Sequence, residues 1–184
     1  GPAPTTFTNR PSVGSNFVLN VFVDGSTIYA ATDGGLAIST NGGSTFVVRT
    51  TANGLGSNTV RGVYAAGSTI YAATQNGLSV STDGGATFQN RTTADGLGTT
   101  NVRGGIYAVG STVYVPTSSG LAISTDGGTS FTNRTTTANG LGDNSVSGVY
   151  VDNGTIYAAT GGGLSISTDG GQSFTNRTTA NGLG

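Results

Sequence analysis

Between residues 60 and 91 the chain moves four times between a short apolar-rich run and a polar break. Residues 60–65 (VRGVYA) hold β-forming side chains and run into Ala-Gly. Residues 68–74 (STIYAAT) follow, then Gln75-Asn76-Gly77. In residues 77–82 (GLSVST), Leu78 and Val80 alternate with polar neighbours, the pattern of a half-buried strand. Asp83-Gly84-Gly85 breaks the run, and residues 86–91 (ATFQNR) form the fourth segment before TTADGLG. Short strands separated by Gly-rich turns predict an up-and-down antiparallel sheet of four strands. No stretch keeps a 3.6-residue period, and glycine recurs too often for helices of useful length.

The same pattern recurs through the chain. Phe46, Phe88, Phe131 and Phe174 stand 42, 43 and 43 residues apart, as do Tyr29, Tyr71, Tyr114 and Tyr157. Phe22, Tyr64, Tyr107 and Tyr150 keep the same spacing. The 184 residues thus comprise four copies of one unit of about 43 residues, a period typical of propeller blades. A four-stranded sheet cannot bury both its faces alone, and stacking blades around an axis covers them. The fold class expected is all-β, a β-propeller of four-stranded antiparallel blades, with a parallel β-helix as the rival. The repeats are drawn at residues 17–58, 59–101, 102–144 and 145–184 of a single propeller domain or half-domain. Residues 1–16 hold a Gly-Pro cleavage scar and an extra fourth strand, TTFTNR, which matches QSFTNR near the end.

Two motifs carry a resemblance to known families. STDGGATF, STDGGTSF and STDGGQSF, with STNGGSTF as a variant, resemble the Asp-box of sialidase-type propellers. The stretch before the second copy, NGLGSNTVRGVYAAGSTIYAATQNGL, is similar to the propeller repeat of bacterial two-component regulators, with Tyr71 in place of the usual Trp. Both resemblances imply a propeller. The site they single out is the set of Asp-box turns: Ser39, Asn41, Gly43 and Phe46; Ser81, Asp83, Gly85 and Phe88; Ser124, Asp126, Gly128 and Phe131; Ser167, Asp169, Gly171 and Phe174. In each, the Asp or Asn side chain can accept its own turn's N–H groups, while the glycines supply positive φ. The reading is structural. Asn41 can build such a turn but cannot act as a base, and one Asp per copy is a poor ligand set for calcium, which takes 6–8 oxygens.

Composition narrows the chemistry further. All seven cations are Arg and all eight anions are Asp, with no Lys, Glu, His, Cys, Met or Trp. Histidine bases, thiolates, Schiff-base lysines and Cys/His zinc sites are therefore excluded. Sialidase chemistry needs a Tyr–Glu pair, and Glu is absent. A two-carboxylate glycosidase would have to draw on Asp24, Asp33, Asp95, Asp143 or Asp152, which lie in unmatched loops. Arg49, Arg91, Arg134 and Arg177 recur on the fourth strand, where charge is expected to block edge pairing. The repeated tyrosines are read chiefly as core, with a sugar platform as the alternative.

The expected function is a non-enzymatic scaffold or binding module of a repetitive bacterial propeller protein, with no cofactor and no metal. A lectin-like or ligand-sensing propeller that binds glycan is the alternative, and a glycosidase using loop Asp pairs is a remote one. A net charge of −1 offers no basic surface for nucleic acid, and no apolar run reaches the ~18 residues of a membrane span. The location expected is extracellular or in the bacterial envelope. The small residues of each unit suit flatter stacking than a four-blade ring, which favours a homodimer that completes an eight-blade ring. Pro116 predicts a bulge or strand end, Gly104-Gly105 a bulge, and residues 135–137 one extra loop threonine.

Overall fold

The structure is a computed structural model, and it describes residues 13–183. The TTFTNR segment lies outside the described residues. The chain forms four four-stranded antiparallel sheets, each with its strands in sequence order. Blade 1 holds β1 (Val18–Asp24), β2 (Thr27–Thr32), β3 (Gly35–Ser39) and β4 (Val47–Arg49). Blade 2 holds β5 (Val60–Ala66), β6 (Thr69–Thr74), β7 (Gly77–Ser81) and β8 (Gln89–Arg91). Blade 3 holds β9 (Tyr107–Val109), β10 (Thr112–Thr117), β11 (Gly120–Ser124) and β12 (Thr132–Arg134). Blade 4 holds β13 (Val146–Asp152), β14 (Thr155–Thr160), β15 (Gly163–Ser167) and β16 (Thr175–Arg177).

The core lies between blades rather than within them. Tyr29, Ala31, Leu36 and Ile38 of blade 1 pack against Val60, Val63, Ala65, Ile70 and Phe88 of blade 2. Tyr71, Ala73, Leu78 and Val80 of blade 2 meet Val102, Ile106, Val113 and Phe131 of blade 3. Tyr114, Leu121 and Ile123 of blade 3 meet Val146, Val151, Ile156 and Phe174 of blade 4. Each large apolar side chain removed from water in these joints contributes roughly 1.5–3 kcal/mol. Every blade therefore has a forward face, built on its second and third strands, and a backward face dominated by its first and second.

The polar residues that interrupt the apolar runs close the turns. Thr32, Thr74, Thr117 and Thr160 donate their hydroxyls to the carbonyls of Gly35, Gly77, Gly120 and Gly163 at 2.7–2.8 Å. The same hydroxyls accept the N–H of Gly34, Asn76, Ser119 and Gly162. Buried hydroxyls that both donate and accept carry little desolvation penalty.

Several local features differ from the sequence expectation. The fourth strands are three residues long, not six. The phenylalanine before each of the last three is diverted from the ladder, because Phe88, Phe131 and Phe174 N–H donate to the carbonyls of Asn53, Asp95 and Asn139 in the preceding linker. Those linkers hold helical turns at Thr51–Asn53, Thr93–Asp95, Thr136–Asn139 and Thr179–Asn181. The third is a four-residue α turn where the others are 3-10, which absorbs the extra threonine. Pro116 neither ends nor bulges β10 on the β11 side, where it pairs with Leu121. Its carbonyl accepts Arg103 N–H, so its bare nitrogen faces β9, which is cut to three residues beside Gly104-Gly105. The missing donor and the inserted residue thus fall on the same pair of strands.

One mismatch leaves a mark. The directly paired residues Ser79–Asn90 and Ser165–Asn176 are hydrogen-bonded at 3.0 and 2.6 Å, and blade 1 has the apolar pair Ala37–Val48 at the same place. Blade 3 pairs Ala122 with Asn133, and the Asn133 Oδ1 is buried with no hydrogen-bond partner. Ala122→Ser is expected to satisfy that oxygen and to stabilise the chain by about 1 kcal/mol. Ser79→Ala should orphan Asn90 and destabilise by about 1–3 kcal/mol. Urea unfolding midpoints of the two variants check both outcomes.

Candidate functional site

The structure places each Ser-x-Asp/Asn-x-Gly-x-x-Phe motif in the turn from the third to the fourth strand. Ser81 Oγ donates to Asp83 at 2.7 Å and accepts Gly85 N–H at 2.8 Å. Asp83 also accepts Thr87 N–H at 3.0 Å and the Thr87 hydroxyl at 2.6 Å. Ser124 and Asp126 repeat this with Gly128 and Ser130, and Ser167 and Asp169 with Gly171 and Ser173. In blade 1, Asn41 Oδ1 accepts from Ser39 Oγ at 3.0 Å and from Thr45 N–H at 2.9 Å, while its Nδ2 donates to the Thr45 hydroxyl. Ser39 Oγ in turn accepts Gly43 N–H at 2.9 Å.

These donors hold the three carboxyls well below the usual carboxylate range. For Asp83 the largest cause is the Thr87 hydroxyl, for Asp126 the Ser124 hydroxyl and for Asp169 the Ser173 hydroxyl, each with backbone N–H groups in support. A carboxylate with its oxygens so engaged is poorly placed to take a proton or a cation.

The turn of blade 3 is also gripped by the blade before it, whereas the matching Arg49 and Arg134 Nε groups are buried without a partner. Tyr71 OH donates to the Gly127 carbonyl at 3.3 Å, and Arg91 Nε donates to the Gly128 carbonyl at 3.1 Å. The fourth-strand arginine of blade 2 is thus a tie to the next blade as well as an edge charge. It also lies 4.0 Å from Asp95. Phe88, Phe131 and Phe174 are buried in the joints, while Phe46 is half-buried.

The repeated aromatics separate into two rows. Tyr29, Tyr71 and Tyr114 are core. Phe22, Tyr64, Tyr107 and Tyr150 form a ladder along the first strands, with successive ring centroids 5.1, 5.7 and 5.0 Å apart. Such tilted pairs add about 0.5–1.5 kcal/mol each beyond their buried area. Burial, then the neighbours Tyr150 and Tyr64, raise the Tyr107 phenol above its ordinary value.

Of the loop carboxylates, Asp95 accepts Thr92 N–H at 2.8 Å and Asp143 accepts Ser145 N–H at 2.6 Å. Among the described residues no three His, Cys, Asp or Glu side chains converge as a metal site. A hollow of about 250 Å³ opens between blades 3 and 4, lined by Tyr114, Thr125, Ser130, Phe131, Arg134 and Gly170 among others. Between blades 2 and 3 the equivalent place is closed by the Tyr71 and Arg91 bonds. In the hollow, Arg134 Nε is buried without a partner. Nothing in the repeat pattern singles out this joint, because Tyr114 and Arg134 match Tyr71 and Arg91 in type.

No family model matches the chain, and no curated protein matches it in sequence. Solved structures do. An ancestral GH74 enzyme superposes with a TM-score of 0.74 at 22% identity, over 92% of this chain and 25% of its own. The extracellular domain of a hybrid two-component system from B. thetaiotaomicron gives 0.71 at 21% identity, over 89% and 25%. YCF48 bound to D1 peptide gives 0.67 at 17%, over 98% and 62%. The fold is a β-propeller. The chain spans less than two thirds of the length of each of these propellers.

Two outcomes test the turns. Because the folded Asp83, Asp126 and Asp169 carboxyls lie below their ordinary value of 3.8, their stabilising effect is present above that pH and is lost as pH falls below it. Converting all three to Asn should flatten the fall in denaturation midpoint below about pH 4 while leaving the turns formed. Gly84→Ala, at φ +72° in open space, should cost about 1–2 kcal/mol. Gly85→Ala should cost more, because a Cβ there would sit 2.5 Å from Ile38 Cδ1 across the joint. Thermal melts of the two variants give the order.

Proposed function

We propose that this propeller is a non-enzymatic scaffold and binding module that works outside the bacterial cytoplasm or in the cell envelope. One observation carries the proposal: the acidic side chain that recurs with the repeat is consumed by its own turn, so the feature nearest to an active-site motif serves architecture. The remaining surface is rich in Ser, Thr, Asn and Gly hydroxyls and amides, which suits weak polar recognition repeated from blade to blade. Propellers host unrelated functions, so the argument rests on these residues rather than on the fold. The neighbour from the two-component system is an extracellular domain, which supports the location. Among the described residues no helix is long and apolar enough to cross a membrane.

A second reading, binding of a small glycan, is favoured by the hollow between blades 3 and 4. It offers hydroxyls from Thr125 and Ser130, two aromatic rings and the Arg134 guanidinium, a lining fitted to a polyol or an acidic sugar. A glycan array, followed by titration of any hit against Arg134→Ala, tests it. Binding that weakens about tenfold or more in the variant supports a glycan site, and no binding at millimolar sugar removes it. Incubation with polysaccharides should release no sugar. Release that is lost in Asp24→Asn or Asp152→Asn would make the chain an enzyme.

A further inference from the structure

The three blade joints share one design, and each end of the chain presents half of it. On the forward side, Tyr71, Ala73, Leu78 and Val80 are buried by the next blade. Their counterparts in blade 4 are Tyr157, Ala159, Leu164 and Ile166, of which Ala159 is exposed and the others half-buried. On the backward side, Val63 is 4% exposed, while its counterpart Val21 in blade 1 is 54% exposed. Val18 and Val23 beside it are likewise bare. The linker leucines repeat the contrast: Leu141 is 3% exposed and Leu183 is 45% exposed, where it borders an apolar hollow of about 320 Å³ with Ala159 and Leu164. The aromatic ladder ends as openly, since Tyr150 is 56% exposed and no ring contact joins it to Phe22 among the described residues. Four blades therefore make an open arc.

From this we infer that a second copy of the chain is the partner of both ends, with the forward face of blade 4 in one copy covering the backward face of blade 1 in the other. The chemistry of the cover is already written three times inside the chain, so the occupant is another blade of this sequence. Polar ties are formed at one of the three internal joints, where Tyr71 and Arg91 donate to the carbonyls of Gly127 and Gly128. If the new joint closes as that one does, Tyr157 and Arg177 would donate to the carbonyls of Gly42 and Gly43 of the partner subunit. Head-to-tail contacts form closed rings when the rotation per copy divides the circle, and otherwise form open filaments. A half-turn per copy closes two four-blade arcs into one ring of eight blades.

Light scattering on the whole chain at about 100 µM tests this, a concentration well above the dissociation constant of a specific interface. The mass expected is twice the 18.1 kDa of one chain. A one-chain mass would overturn the proposal, as would an open series of larger species. A one-chain mass would also mean that residues 1–12 or solvent cover the faces. Val21→Asp and Ala159→Asp each charge one face at a position already exposed in a single chain. Each variant alone should keep its β circular dichroism and should dissociate at least 100-fold more readily. An equal mixture has one undamaged joint and should associate more tightly than either variant alone. A two-chain mass retained by either variant, or a mixture no tighter than its components, would rule out head-to-tail pairing. None of these outcomes depends on glycan binding.

Discussion

Each blade is a thin sheet with apolar side chains on both faces, and neither face can be covered from within the blade. The rest of the structure follows from that constraint. Ile38, Val80 and Ile123 find their neighbours on the following blade, and Val63, Ile106 and Val151 on the preceding one. The repeat length, the direction of stacking and the inward aromatic ladder are consequences of covering those faces in sequence. A single blade would leave one apolar face in water on each side, so stability accrues joint by joint.

The joints need rigid corners, and the chain makes them almost without charge. A threonine hydroxyl closes each second-to-third turn, and a serine hydroxyl with a carboxylate or amide closes each third-to-fourth turn. The linker repeats the tactic: Asn53, Asp95, Asn139 and Asn181 fold back onto the N–H of the threonine three or four residues earlier. The main-chain carbonyls of the first three, Asn53, Asp95 and Asn139, then hold the phenylalanine N–H of the next blade. Local side-chain bonds of this kind fix a turn before any long-range contact forms, which suits a chain with so little charge.

The period, the blade strands and the turn between third and fourth strands were legible in the sequence because they are local: alternation, glycine pairs and repeated aromatics. The helical turn in TTANGLG was less so. Its signals are present in the capping threonine, the Asn or Asp three residues on and the glycine after it, but the segment is too short for periodicity to register. The three-residue fourth strand was invisible because Phe88 is drawn off by Asn53 from another repeat. The double role of Arg91 was hidden for the same reason, since its acceptor Gly128 lies 37 residues away. The hollow beside Arg134 depends on a difference in joint closure between copies of matching residue type, which no single repeat can reveal.

The paired residues at the centre of each third-to-fourth strand ladder have one more consequence. Copies this similar invite strand exchange during synthesis, when the fourth strand of one blade can settle beside the third strand of another. Ala37 with Val48 is a dry pair, whereas Ser79 with Asn90 and Ser165 with Asn176 are wet ones. An exchange between blade 1 and either of those blades would bury an amide against a methyl group. The lone Ala122–Asn133 pair already tolerates that insult in the native state. These positions thus act as an address written into otherwise interchangeable strands. It is legible at the first blade and blurred at the third, so the middle of the chain is where a growing polypeptide is most exposed to assembling its blades from the wrong parts.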